Sequence, residues 1–332
     1  MKPPLHRFAA RFGNLACVLA LCAAGLGSHG FANAGDYPEH PIRLIVPYAA
    51  GGGTDIVARM LAERLTQSLG QQVIVENRAG AATQSGTAVV ARAAPDGYTL
   101  LMGTANLATN VPLFAHLPYD AEKSLTPISL VTKVPVYLFV NAASPIQAMK
   151  DVIARSKTVP DGLSYATAGT GSIPHLAGEM FKNETHANIV HIPYKGSAEA
   201  VTSLIGGQVA FSFDNLPPMQ AQVAAGKARP IAIAMPQRSA LLPKVPTFAE
   251  LGYPIEAYSW WGVLAPVGTP ASVIERLNRE ILAALKPAEV RERFKQLGIE
   301  PVGSSPAEFE AHIRAETAKW TRVVKAAGIQ PE

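Results

Sequence analysis

The sequence predicts an α/β fold in two lobes, each lobe a mainly parallel sheet flanked by helices. Three observations carry this. From Tyr37 onward, short β-branched runs alternate with longer helical periods, as they do where crossover helices cover a parallel sheet. The first strand passes through a glycine-rich loop directly into an amphipathic helix. Two long extended segments, Ile128–Val140 and Tyr258–Ala265, separate one set of strands from the other, as two crossings between lobes would.

Taken in order, Ile42–Val46 is the first strand. After the loop Pro47–Asp55, the residues Ile56, Val57, Met60, Leu61, Leu65 and Leu69 recur on one helical face, with Gly70 placed to end the helix. Val73–Val75 and Tyr98–Met102 read as further strands, separated by a helix over 83–93 that stops at Pro95-Asp96-Gly97. A second set of strands is expected at Leu163–Ala166, Val190–Ile192, Val209–Phe213 and Ile231–Met235. Three helices close the chain: Pro270 to Leu285, Val290 to Leu297 before Gly298, and Pro306 to about Ala326. The simplest path assigns residues 35–136 and 259–332 to the first lobe and 137–258 to the second.

The chain has 332 residues, 48% of them apolar, so it can bury one large core or two medium ones and is not disordered as a whole. Its net charge of +4 owes much to Lys2, Arg7 and Arg11, which precede the apolar run Leu15–Gly27 and the small-x-small pattern Ala32-Asn33-Ala34. This reads as an export signal, cleaved near Ala34. Without it the chain holds 26 basic and 25 acidic residues, a balance unlike a phosphate-tracking surface, so nucleic acid is excluded as a partner. Cys17 and Cys22 both fall in the signal, so the exported chain would carry no disulfide. A lipidated Cys22 is the rival reading, against which Leu21 stands.

Ligands of open α/β sheets bind beyond the carboxyl ends of strands, at helix N-termini. Four loops qualify. Tyr48, Ala49, Ala50, Gly51, Gly52 and Asp55 lie in the first, where successive glycines let backbone N–H groups approach an anion and Asp55 or Thr54 would cap the helix. Thr170, Gly171, Ser172 and His175 lie in the second, whose hydroxyls and amides suit a carboxylate. Thr104 and Asn106 follow the Tyr98 strand, and Asp214 follows Phe213, where its carboxylate is an acceptor for a ligand ammonium or hydroxyl. Trp260 and Trp261 either pack at a crossing or line the ligand.

Enzyme motifs are missing: there is no G-x-S-x-G elbow, no phosphate-binding G-x-x-x-x-G-K-[ST] loop and no H-E-x-x-H helix. Ser172 with His175 leaves a hydrolase as the alternative. His175 and Glu179, four apart, with His191, would be the only metal candidates. Neither cofactor nor metal is expected.

The run Val46–Asp55 with Ala58-Arg59, then Gly169–Ser172 with His175-Leu176-Ala177, Pro193-Tyr194-Lys195-Gly196, Phe213-Asp214-Asn215, Pro246-Thr247 and Ala265–Pro270 together resemble the Bug family, the periplasmic solute receptors of tripartite tricarboxylate transporters. These motifs span nearly the whole exported chain. The resemblance implies a two-lobed Venus-flytrap binding protein, not an enzyme, that closes on a small di- or tricarboxylate, amino acid or aromatic acid. It implies a monomer that delivers the ligand to a membrane permease, or presents its closed form to a signalling partner. By motif, Tyr48 to Asp55 and Thr170 to His175 would grip the carboxylate, with Thr104 and Asp214 beside them. Tyr48 stands where many relatives carry phenylalanine.

Overall fold

The computed structural model describes residues 37–326 and 331. The expected export signal, its cleavage point and both cysteines lie outside the described residues. Among those described, no helix is long and apolar enough to cross a membrane.

The body from Pro38 onward begins with β1 (Ile42–Val46), α1 (Gly53–Leu69) and β2 (Val73–Asn77). Helix α1 ends where Gly70 turns left-handed (φ 69°), a conformation that costs glycine no Cβ clash. Next come α2 (Gln84–Ala91), β3 (Thr99–Thr104) and α3 (Asn106–Leu113). Strand β4 (Leu125–Asn141) runs for 17 residues. It leads to α4 (Met149–Ser156), β5 (Leu163–Thr167), α5 (Ile173–Thr185), β6 (Ile189–Pro193) and α6 (Ser197–Ile205). β7 (Phe211–Asn215), α7 (Leu216–Ala224), β8 (Ala228–Ile233) and β9 (Tyr258–Pro266) follow. The chain closes with α8 (Ala271–Leu285), α9 (Ala288–Gln296), the short β10 (Glu300–Pro301) and α10 (Pro306–Ala326).

The sheet order is β2-β1-β3-β9-β4-β7-β5-β6, with β8 and β10 also on β4. Strands β1, β2 and β3 pair in parallel, as do β5, β6 and β7. The two parallel groups are joined by antiparallel pairing through β9 and β4. From Leu125 to Pro135, β4 pairs with β9; from Val136 to Asn141 it pairs with β7 and β8. One strand therefore belongs to both halves of the sheet, and β9 lies beside its first half.

Strand expectations hold with one or two residues' difference, except that the last two of the second set shift. Val209 and Ala210 precede β7, and β8 begins at Ala228 and ends at Ile233, short of Met235. Helices α3, α4, α6 and α7 lie beyond the sequence expectations; α3 carries Pro112 in its interior and asparagines in its first turns, which mask a helical period. The C-terminal helices return to the β1–β3 half, α8 packing on α1 and α10 on α3.

Alternation along β9 sends its two tryptophans to opposite faces. Trp260 is fully buried, edge-on to Phe309 and His312 of α10. Its neighbour Gly262 lies so close to α10 that an added Cβ would meet Phe309 Cζ at 2.3 Å and the Ser129 carbonyl at 2.7 Å. Gly262→Ala is therefore expected to overpack this seam and destabilise the protein by about 1–3 kcal/mol, read as a lower urea midpoint with an unchanged denaturant slope. An unchanged midpoint would show that α10 can shift to make room.

Candidate functional site

The Pro47–Asp55 loop is built around Asp55. Its Oδ2 accepts from the Gly51 amide (3.0 Å) and from Arg59 Nε (2.9 Å), and its Oδ1 from Asn77 Nδ2 (3.0 Å). Burial opposes ionisation of this carboxyl, but the bonds from Arg59, Gly51 and Asn77 prevail and hold it below the usual carboxylate range. Asp55 is thus three residues into α1, where it clamps the loop; the helix cap is the extended Gly52, and neither Asp55 nor Thr54 caps it through a side chain. Gly51 has φ 83°, which lets the chain reverse in front of the helix.

Beyond that loop lies a cavity lined by Tyr48, Gly52–Thr54, Thr104–Asn106, Ala168, Ser172–Pro174, Ser197, Asn215, Ser259 and Trp261. Among these are the caps or first residues of α1, α3, α5, α6 and α7. Each of these helices follows directly on a strand, β1, β3, β5, β6 and β7 respectively. The first amide groups of a helix have no partner within it, and the aligned peptide dipoles place partial positive charge there. Five such ends meet at one cavity, and no Lys, Arg or His takes part in its lining. Larger grooves elsewhere on the described surface have no such convergence.

Gly169 and Gly171, at φ 127° and 73°, shape the second-half loop. Ser172 caps α5: its Oγ accepts from the His175 amide (3.3 Å) and donates to the Gly169 carbonyl (2.7 Å). The His175 ring lies behind the loop. Its Nδ1 accepts from the Gly171 amide at 3.2 Å, and it stacks on His191 with centroids 4.1 Å apart. His191 Nε2 is 2.7 Å from Thr167 Oγ1. Burial depresses both imidazoles, and for His191 the neighbouring His175 adds to it, bringing it to about 2. The Ser172 hydroxyl and the His175 ring thus each bond to the loop backbone and not to one another, so the geometry of a serine nucleophile and its base is not assembled. Glu179 bonds the Tyr165 hydroxyl (2.8 Å), and no group of three possible metal ligands occurs among the described residues.

Asp214 is fully buried. Its Oδ1 accepts from Ser197 Oγ (2.9 Å) and the Asn215 amide (2.7 Å), while Oδ2 has no hydrogen-bond partner. Burial pushes its carboxyl up to about 7 against those two bonds. Opposite it, burial and then the charge of Asp214 raise the phenol of Tyr48 above its ordinary value. The Tyr48 hydroxyl donates to Asn106 Oδ1 at 2.6 Å.

The two halves of the sheet also touch across the site. Thr109 Oγ1 donates to the Gly171 carbonyl (2.5 Å), Asn106 Nδ2 to the Thr170 carbonyl (3.4 Å) and the Ala49 amide to the Lys195 carbonyl (3.3 Å). The cavity between them is about 30 Å³, room for a water or two.

Of the residues expected from sequence, Tyr48, Gly52, Thr104, Asn106 and Ser172 line this cavity, and Asp214 stands behind Ser197. Ala49, Ala50, Gly51, Asp55, Gly171 and His175 do not line it; they shape or support its loops. Thr170 lines an adjoining depression with Tyr194 and Lys195. Gly53, Thr54 and Asn215, which belong to the expected loops, also line it, whereas sequence reasoning missed Ser197 and Thr109. Trp261 resolves to cavity lining: an added Cβ at Gly53 would lie 2.7 Å from its ring.

A family model described as the tripartite tricarboxylate transporter family receptor matches residues 57–329. Protein BugT of Bordetella pertussis is 40% identical over 321 residues, which is 95% of this chain and 98% of BugT. A Rhodopseudomonas palustris protein solved with adipate superposes with a TM-score of 0.87 at 36% identity, covering 90% of this chain and 100% of that one. MatC from the same organism, solved with bound malate, gives 0.83 at 31% identity, covering 87% of this chain and 100% of its own.

The Asp214 carboxyl, near 4 when unfolded and about 7 when folded, makes stability depend on pH. Because the folded value is the higher, its contribution is complete below about pH 4 and is lost as pH rises through about 7. Between pH 5 and 8 the wild type should therefore lose on the order of 2 kcal/mol more stability than Asp214→Asn in urea titrations. Parallel pH profiles for the two proteins would assign the effect elsewhere.

Proposed function

The chain belongs to the tripartite tricarboxylate transporter receptor family, and we propose that it is a periplasmic receptor that closes its two halves on a small carboxylate and hands it to a membrane permease. Members of the family are solute-binding receptors rather than enzymes. The observation that carries the ligand class is the set of five helix N-termini around one cavity. A carboxylate there exchanges its water for charge-assisted bonds from preorganised amides. No buried counter-ion is needed, so the site is easily wetted when it opens. Relatives solved with adipate and malate support an acid of this kind.

In the proposed motion the lobes are residues 35–136 with 259–332, and 137–258. The chain passes between them at Val136-Tyr137 in β4 and at Tyr258-Ser259 in β9, and beside these points the Val136 amide bonds the Ala257 carbonyl (3.3 Å). Contacts at Thr109–Gly171 and Ala49–Lys195 hold the conformation described above closed. With room of about 30 Å³ for water in this conformation, the cavity would take up a diacid as these contacts part.

A thermal-shift screen of the purified protein against mono-, di- and tricarboxylates, amino acids and aromatic acids tests this. At about 100 times its dissociation constant a true ligand adds roughly 2.7 kcal/mol, or several degrees. Thr109→Ala should weaken binding of that ligand by about threefold to tenfold, because it removes a bond made only in the closed form. A protein indifferent to every acid would overturn the carboxylate reading.

A further inference from the structure

Two of the helix ends at the cavity already carry a carboxyl group of the protein's own. Asp214 stands one residue behind the lining and is fully buried. Its Oδ1 accepts from Ser197 Oγ (2.9 Å), on the first residue of α6, and from the amide of Asn215 (2.7 Å), the cap residue of α7. Ser197 and Asn215 are themselves lining residues. Asp214 Oδ2 has no hydrogen-bond partner. Of the elements packed on β7, β4 places Tyr137 opposite Asp214, β5 carries Tyr165, α5 carries His175 and Glu179, and α6 carries the exposed Glu199. These groups are engaged elsewhere: Tyr165 bonds Glu179, His175 accepts from Gly171, and Glu199 accepts from the Lys195 amide. Helix α7 has no titratable side chain. The phenol of Tyr48, across the cavity, feels the Asp214 charge, and no Lys, Arg or His neutralises it.

An anion entering the cavity would draw on the same two helix ends. Two negative charges in a site with little water and no cation between them repel strongly, and the repulsion is relieved when the protein's own carboxylate takes up a proton. That proton has a place to go: Oδ1 keeps its two donors, and Oδ2, which accepts from none, can carry it. We propose that binding of a carboxylate at the helix ends is coupled to protonation of Asp214, so that a proton enters from solvent with the anion and acidity favours the loaded form. This rests on the receptor reading above and adds the regulation of that same site. Each loading event then brings in one ligand carboxylate and one proton, and no second negative charge accumulates behind Ser197. Without ligand Asp214 titrates at about 7, and a neighbouring anion raises that value further. Below it the carboxyl is already neutral and binding takes up nothing. Above it binding must recruit the proton, so affinity falls as pH rises.

Proton counting tests the coupling directly. Succinate, malate, adipate and benzoate serve as probes, because each is ionised above pH 7, together with the acid of largest thermal shift in the panel above. Titration calorimetry at pH 8 in buffers of different ionisation enthalpy reads the protons exchanged as the slope of observed heat against buffer heat. The wild type should take up roughly half a proton or more per acid bound, and its affinity should fall about tenfold or more between pH 7 and pH 9. In Asp214→Asn the uptake should vanish, and affinity should vary by no more than about twofold over the same range. Ser197→Ala gives a second variant should the first fold poorly. It removes one of the two bonds that favour the ionised carboxyl, so the fall in affinity should move to higher pH. A wild type that binds a probe at pH 8 without taking up a proton, or an Asp214→Asn protein that takes up as much as the wild type, would overturn the coupling and leave the receptor reading intact. Binding of no acid at any pH from 7 to 9 would overturn both.

Discussion

Everything about the site follows from the direction in which five strands run. An anion can be held without a cation only if several helix N-termini reach it, and a helix end reaches a point only if the strand feeding it stops nearby. Strands β1 and β3 run parallel in one half of the sheet, and β5, β6 and β7 in the other. Each delivers its helix start to the same cavity. Reversing any one of them would bring a helix C-terminus, with its carbonyls, to the ligand. The antiparallel strands β4 and β9 are the exceptions that join the halves, and β9 contributes side chains, Ser259 and Trp261, in place of a helix end.

Around that backbone frame the side chains mostly hold one another. Asp55 fixes the first loop through Gly51, Arg59 and Asn77. His175 and Thr167 brace the second, through Gly171 and Gly169 respectively. Burial lowers the His175 imidazole below its ordinary value, which favours the unprotonated Nδ1 acceptor that the brace needs. The residues that look most chemical in the sequence, a histidine, an acid and a serine close together, serve as scaffolding for amides.

This explains what could be read in advance. Strand and helix periods showed α1, α5 and the C-terminal helices because their apolar faces are regular, while α3 was hidden by Asn106, Asn110 and Pro112, all poor helix formers. The glycine loop and the Thr170–His175 loop were legible because backbone approach demands glycine and helix starts demand hydroxyls. Their division of labour was not. Which of Ser172 and His175 faces the cavity depends on the left-handed turns at Gly169 and Gly171, and no residue type states that. Ser197 and Thr109 were invisible for another reason: their roles are partnerships with Asp214 and Gly171, 17 and 62 residues away along the chain.

The sharing of β4 between both halves has a mechanical consequence. A strand hydrogen-bonded to β9 over its first part and to β7 and β8 over its second cannot slide lengthwise past either set, since a one-residue slip would turn every buried side chain to the wrong face. Sliding is thereby removed from the available motions, and twisting or bending near Pro135 is what remains. A body restricted to rotation about a fixed line retraces the same arc each time. In the proposed closure, Thr109 and Gly171, far apart in sequence and on different arms of that arc, would therefore meet in the same alignment on every cycle without any guide of their own.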